Sequence, residues 1–293
     1  LDPKYLPDHH LHSRYSRCST GHHTLFDIID ELRQQQKPYY CVSDHIHYDF
    51  DDVYFPQHLA AAEQYLHQKP DRPLFLGAEI TIIDISGTIA QTKASTGYLQ
   101  YFMVGEHLIP GTAITMDDLT QAHRLLSRWQ RNSSAQIHEL LNTVENMYLG
   151  CLKRYQPQVL VHPFATFTRS GYIHTRMLEI FEQICEICAK KHIAIELNKS
   201  QIRECVTNPE PTIMDGAENL TRPEFYHAMV ELIKHHNVPY SFGSDGHLLK
   251  TMGDISPCYK IAQDHGLDPG LCMNFLDEEW HIQPFSIEKI TKL

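Results

Sequence analysis

Short runs of apolar residues alternate along the chain with longer segments whose apolar positions recur every three or four residues. The runs at 39–44, 74–79, 99–105, 158–162, 193–198 and 239–244, with the stretch at 8–12, predict core strands near residues 10, 42, 76, 102, 160, 195 and 241. Between them the helical period predicts helices over 24–35, 57–67, 116–129, 136–152, 175–191, 223–236 and 254–265. In the first of these, Leu25, Ile28, Ile29 and Leu32 share one face. Polar Asn132-Ser133-Ser134 separates the middle pair, and the Gly/Ser/Thr-rich segment 86–97 reads as a hairpin or loop excursion. Strands alternating with helices imply an α/β fold with a mainly parallel sheet. No repeat or linker divides the chain. One domain over 1–293 is expected, with a helical insertion near 113–152 and an irregular tail over 266–293.

Composition narrows the possible partners. The 293 residues carry a net charge of −11, which disfavours a chain that tracks duplex nucleic acid or an anionic membrane. No apolar run reaches the roughly 18 residues of a membrane span. Residues 1–7 lack the basic-then-apolar pattern of a secretory signal, so a reduced cytoplasmic setting is expected. The eight Cys have no regular spacing, and the lone Cys185-x-x-Cys188 falls in a helical pattern, where core thiols are expected. The 21 His are the unusual number. Histidine is the commonest metal ligand and titrates near neutral pH.

These histidines gather at strand ends. The strands run into Asp8-His9-His10-Leu11-His12-Ser13, Ser43-Asp44-His45, Gly77-Ala78-Glu79, Gly105-Glu106-His107, His162-Pro163, Glu196-Leu197-Asn198 and Gly243-Ser244-Asp245-Gly246-His247. In α/β barrels the C-terminal strand ends form the active-site face. On an extended strand, residues two apart point the same way. His10 and His12 can then grip one ion with Asp8 beside them, and Asp245 and His247 repeat the spacing. A single His is usually a surface or satisfied core residue. A whole set at one topological level is different, because unpaired ionisable groups are costly to bury together and a metal cluster compensates them. Nitrogen and oxygen donors suit zinc, manganese or iron.

In this order the motifs resemble those of the PHP (polymerase and histidinol phosphatase) superfamily, over about residues 8–253. The resemblance implies a distorted seven-stranded β/α barrel holding two or three divalent metal ions. It implies that His10, His12, Glu79 and Asp245 hold one ion, that Glu79 bridges to a second held by His107 and His162, and that His45 and His247 help hold a third. Asp8 and Asp44 would support these ligands from behind. The family often places a further His six residues after the second His of the first motif. Here that position is Cys18, with His22 and His23 beyond it; the two histidines are the expected ligands and Cys18 the alternative.

Such a cluster lowers the pKa of a bound water to about 7 and orients phosphoryl oxygens. No nucleophile elbow or P-loop is present. The expected activity is metal-dependent hydrolysis of a small phosphate ester. Arg14, Arg17, Arg169, Lys199 and Arg203 are candidate anion contacts, since guanidinium groups in particular suit bidentate phosphate binding. His47, two residues after His45, is either a metal neighbour or a substrate contact. Two other readings compete. An amidohydrolase-like enzyme would also use a first-strand H-x-H, but commonly bridges its metals with a modified Lys where this chain has Glu79. A non-catalytic metal-binding PHP module is expected to have lost ligands, and this set is nearly complete.

Overall fold

The apolar runs form six parallel strands paired in chain order in a computed structural model. They are β1 (Tyr40–Ile46), β2 (Leu74–Thr81), β3 (Tyr101–Gly105), β4 (Val159–Leu160), β5 (Ala194–Asn198) and β6 (Tyr240–Gly243). The structure describes residues 3–16, 23–47, 55–68, 71–90, 99–116, 118–132, 134–207 and 220–284. Both faces of the sheet are covered, so β2 and β5 are buried along their whole length. The register sets His45 directly beside Glu79.

The helices are α1 (Leu25–Gln34), α2 (Phe55–His67), α3 (Leu119–Asn132), α4 (Ser134–Arg154), α5 (Ala165–Ser170), α6 (Arg176–Lys191), α7 (Lys199–Ile202), α8 (Arg222–His235) and α9 (Ser256–His265). Helix α1 buries Leu25, Ile28, Ile29 and Leu32, the face read from its period. It opens with a reciprocal capping box between Thr24 and Asp27, a device that contributes about 1 kcal/mol. Helix α8 repeats it with Thr221 and Glu224, followed by Pro223 in the first turn. Cys185 and Cys188 are buried free thiols on α6, packed in the main core. Helices α5 and α7 were not expected from the sequence, being too short to show a period. No described helix is long and apolar enough to cross a membrane.

The stretch expected as the first of seven strands is extended but not laddered. Its one bridge joins Leu11 to Gly246. Backbone hydrogen bonds nonetheless tie it to both edges of the sheet. His9 N–H donates to the Phe242 carbonyl (3.1 Å), Asp245 N–H to that of His10 (3.0 Å) and Ser43 N–H to that of Leu11 (2.9 Å). Side chains capture some of its own donors: Leu11 N–H goes to Ser43 Oγ and His10 N–H to Asp8 Oδ1. A polar segment that satisfies itself this way does not build a regular ladder. Segment 82–89 turns back on itself through an Ile82–Ile89 bridge, as the loop excursion anticipates, while 91–98 lies outside the described residues.

Candidate metal centre

Seven imidazoles and three carboxylates converge at the C-terminal ends of the strands. Glu79, fully buried on β2, is the hub. Its Oε1 lies 2.8 Å from His107 Nε2 and 2.7 Å from His162 Nε2. Its Oε2 lies 2.9 Å from His10 Nε2 and 2.9 Å from His45 Nδ1. The two oxygens thus divide the histidines into two sets, as a carboxylate shared by two cations would. Asp245 comes from the segment after β6, with Oδ1 3.4 Å from His12 Nε2 and 3.8 Å from His10 Nε2. His12 stacks on His45 at 4.2 Å between ring centroids and lies 4.4 Å from the His247 ring.

Backbone and neighbours aim these groups. His162 and Asp245 both have positive φ (28° and 53°), which turns them off the strand direction onto the rim. Glu196 Oε1 lies 2.7 Å from His10 Nδ1, and its Oε2 accepts from His162 N–H and the Asn198 amide. Gly243 is required here, since a Cβ would fall 1.8 Å from Glu196 Oε1. The Thr81 hydroxyl sits between His107 Nδ1 (2.9 Å) and His47 Nδ1 (2.8 Å). His247 Nδ1–H donates to the Asp245 carbonyl. Asp8 accepts from Ser244 and Gly253 N–H, pinning the last motif to the first. Asp44 accepts from Ser13 and Ser16 and pairs with His58.

Electrostatics separates donors from charges. Burial, reinforced by His45 and His247, holds His12 well below the usual imidazole range. Burial with His45 and His107 lowers His47 to about 2, and burial lowers His107 to about 4 against the pull of Glu79. These rings are neutral and offer lone pairs. Burial opposes charge on Glu79 and Asp245 too, but His10 above all, joined at Asp245 by Arg169, outweighs it and holds both carboxylates well below their usual range. For His10 burial is overcome by Glu196, Glu79 and Asp245, which raise it well above its usual value. Neutral imidazoles beside buried carboxylates form a site that favours added positive charge.

The donor set fits a small divalent ion. His12 Nε2 is buried, 3.4 Å from an oxygen of Glu79 and 3.4 Å from one of Asp245, and makes no hydrogen bond among the described residues. Ligands about 2.0–2.1 Å from a tetrahedral ion stand about 3.3 Å apart. Metal-compatible groupings are His10–His12–Asp245, His10–Glu79–His162, His12–His45–His247 and His45–His47–His107. The last brings in His47, a neighbour of the cluster at this geometry.

The expected anion contacts separate sharply. Arg169, on α5, is largely buried and places Nη2 2.7 Å from Asp245 Oδ2, while its Nε has no partner among the described residues. Lys199 and Arg203 line a cavity of about 230 Å³ beside Asp245 and His247, floored by Ile202, Leu248 and Pro257. Lys199 is already paired with Asp254 at 2.6 Å, and Arg203 is exposed, 3.5 Å from Glu204. Arg14 is exposed and donates to the Tyr15 hydroxyl. Arg17, Cys18 and His22 lie outside the described residues. His23 Nε2 accepts from Leu249 N–H at 3.4 Å, two residues beyond His247. Sequence reasoning gave no role to Glu196, Ser16, Thr81 or His58. Glu196 stood in a quoted motif and Thr81 shares a strand face with Glu79, but His58 gave no signal on its helix.

The architecture is that of a curled, TIM-like parallel α/β sheet with its polar groups collected at the C-terminal rim. Among solved structures it is similar to histidinol phosphate phosphatase from Lactococcus lactis, crystallised with zinc, L-histidinol and phosphate, with a TM-score of 0.59 and 15% identity over 90% of this chain and 95% of that one. It is similar also to the putative histidinol phosphatase of Listeria monocytogenes, with a TM-score of 0.50 and 13% identity over 84% and 97%. No family model matches the chain, and no curated protein does. At these identities the likeness is one of fold, and it agrees with the PHP resemblance drawn from the motifs.

Proposed function

We propose that this chain is a metal-dependent hydrolase of small phosphate esters, a single PHP-type barrel in which segment 8–12 acts as the seventh strand and α3 and α4 form a helical insertion. The observation that carries the reading is the division of buried Glu79 between two sets of imidazoles. In this assignment His10, His12, Glu79 and Asp245 hold one divalent ion, and Glu79, His107 and His162 a second. His45 and His247 would help hold a third. Zinc, present in the Lactococcus lactis neighbour, suits these donors. Ions held there supply an activated water and charge stabilisation for a phosphoryl group.

The chain's own residues supply orientation and charge. Arg169 is held by Asp245 beside the cluster, and its guanidinium charge offsets that of the phosphoryl oxygens. The apolar floor beside His247 takes the leaving group, and the small cavity favours a small one. Glu79 at the bridging position, rather than a Lys, supports phosphate-ester over amide hydrolysis. The test is a screen of zinc- and manganese-loaded protein against phosphomonoesters, phosphodiesters and amides. Release of phosphate from a monoester is expected; amide hydrolysis alone would move the protein to the amidohydrolase class.

A further inference from the structure

We propose that Ser16 is a positioning residue whose hydroxyl decides which nitrogen of His12 carries the proton. The inference rests on the metal reading above. Ser16 is buried, and its Oγ has three neighbours. It donates to Asp44 Oδ1 at 2.6 Å. It accepts from the backbone N–H of His45 at 3.1 Å. The third neighbour is His12 Nδ1, at 3.1 Å.

A hydroxyl has one proton. Ser16 gives it to Asp44, so the hydrogen bond to His12 requires a proton on His12 Nδ1. A neutral His12 then has its lone pair on Nε2, the atom between Glu79 and Asp245. Ser16 can do this only while Asp44 stays in place. Asp44 is fixed by Ser13 N–H at 2.7 Å, Ser13 Oγ at 2.6 Å and His58 Nε2 at 2.8 Å. His58 reaches in from α2. The relay therefore runs from α2 through Asp44 and Ser16 to His12. The same hydroxyl anchors the backbone of His45, whose ring stacks on His12. Outer partners of ligating histidines usually fix the tautomer in this way, and their loss typically costs 10–100-fold in metal affinity.

The test uses the full chain with ¹⁵N-labelled histidine. In metal-free wild type, His12 should show a protonated Nδ1 and a bare Nε2. Ser16→Ala should move proton density to Nε2 and weaken zinc binding about 10–100-fold, and Ser16→Thr should restore both. His58→Leu, which removes the His58–Asp44 pair, should shift both readouts in the same direction, and it serves if Ser16→Ala fails to fold. An unchanged tautomer and unchanged zinc affinity in the variants would overturn the proposal while leaving the metal site standing. Wild type that binds no zinc would instead defeat the metal reading, and the tautomer would still judge Ser16.

Discussion

Replacing Glu79 by Gln should damage two metal sites at once. The side chain is fully buried, and four imidazole nitrogens lie 2.7–2.9 Å from its two oxygens. Gln keeps the shape and one acceptor, but its NH₂ group must face one set of those nitrogens and can only donate. The negative charge is also lost. A unit charge about 4 Å from another is worth about 4 kcal/mol at an effective dielectric of 20, or about three decades in affinity, and more against a divalent ion. A change at His107 would touch the second ion alone. Glu79→Gln should therefore lose more metal than His107→Ala when both are dialysed against buffer and measured by elemental analysis. Turnover of any accepted phosphate ester should fall by about 10²–10⁴, the scale for loss of a positioned catalytic group. Near-normal turnover with the wild-type metal count would refute the bridging role.

Two further outcomes follow from the buried charges. Burial pushes the carboxyl of Glu106 from its ordinary 4.5 up to about 7, while Tyr148 donates to its Oε2. Its folded pKa is raised, so its contribution to stability is complete below pH 4.5 and is lost as pH rises through 7, by about 3 kcal/mol in total. Glu106→Gln keeps an acceptor for Tyr148 and should flatten this slope in urea melts of metal-free protein at pH 5 and pH 8; an unchanged slope would place the titration elsewhere. Arg169→Lys keeps the charge but loses the planar fork, so inhibition by inorganic phosphate should weaken by about tenfold or more, consistent with the 1.5–3 kcal/mol of a charged hydrogen bond. Equal inhibition would remove Arg169 from the anion site.

The strands were legible because buried parallel strands are short, continuous apolar runs, and β1, β2 and β5 fall within a few residues of their expected places. The convergence of His10, His12, His45, Glu79, His107, His162, Asp245 and His247 was legible for a related reason: chain direction in a parallel sheet sends every strand end to one rim. Less visible was anything set by three-dimensional neighbours. The Asp44–His58 pair joins a strand to a helix and has no spacing to betray it. The positive φ of His162 and Asp245 follows from packing rather than residue type. Among the candidate cations, Arg169 and Arg203 looked alike in sequence; the structure buries the first against Asp245 and leaves the second at the surface. The first expected strand kept its place between the sheet edges but lost its ladder to side-chain hydrogen bonds that composition does not reveal.

The most direct test of the account is the metal content of the chain itself, read together with its dependence on metal for turnover. Protein purified gently, without chelator, should carry at least two transition-metal ions per chain by elemental analysis. Chelation should abolish phosphate-ester hydrolysis, and zinc or manganese should restore it. A folded protein that contains no such metal, takes none up, and hydrolyses phosphate esters equally well after chelation would contradict the account.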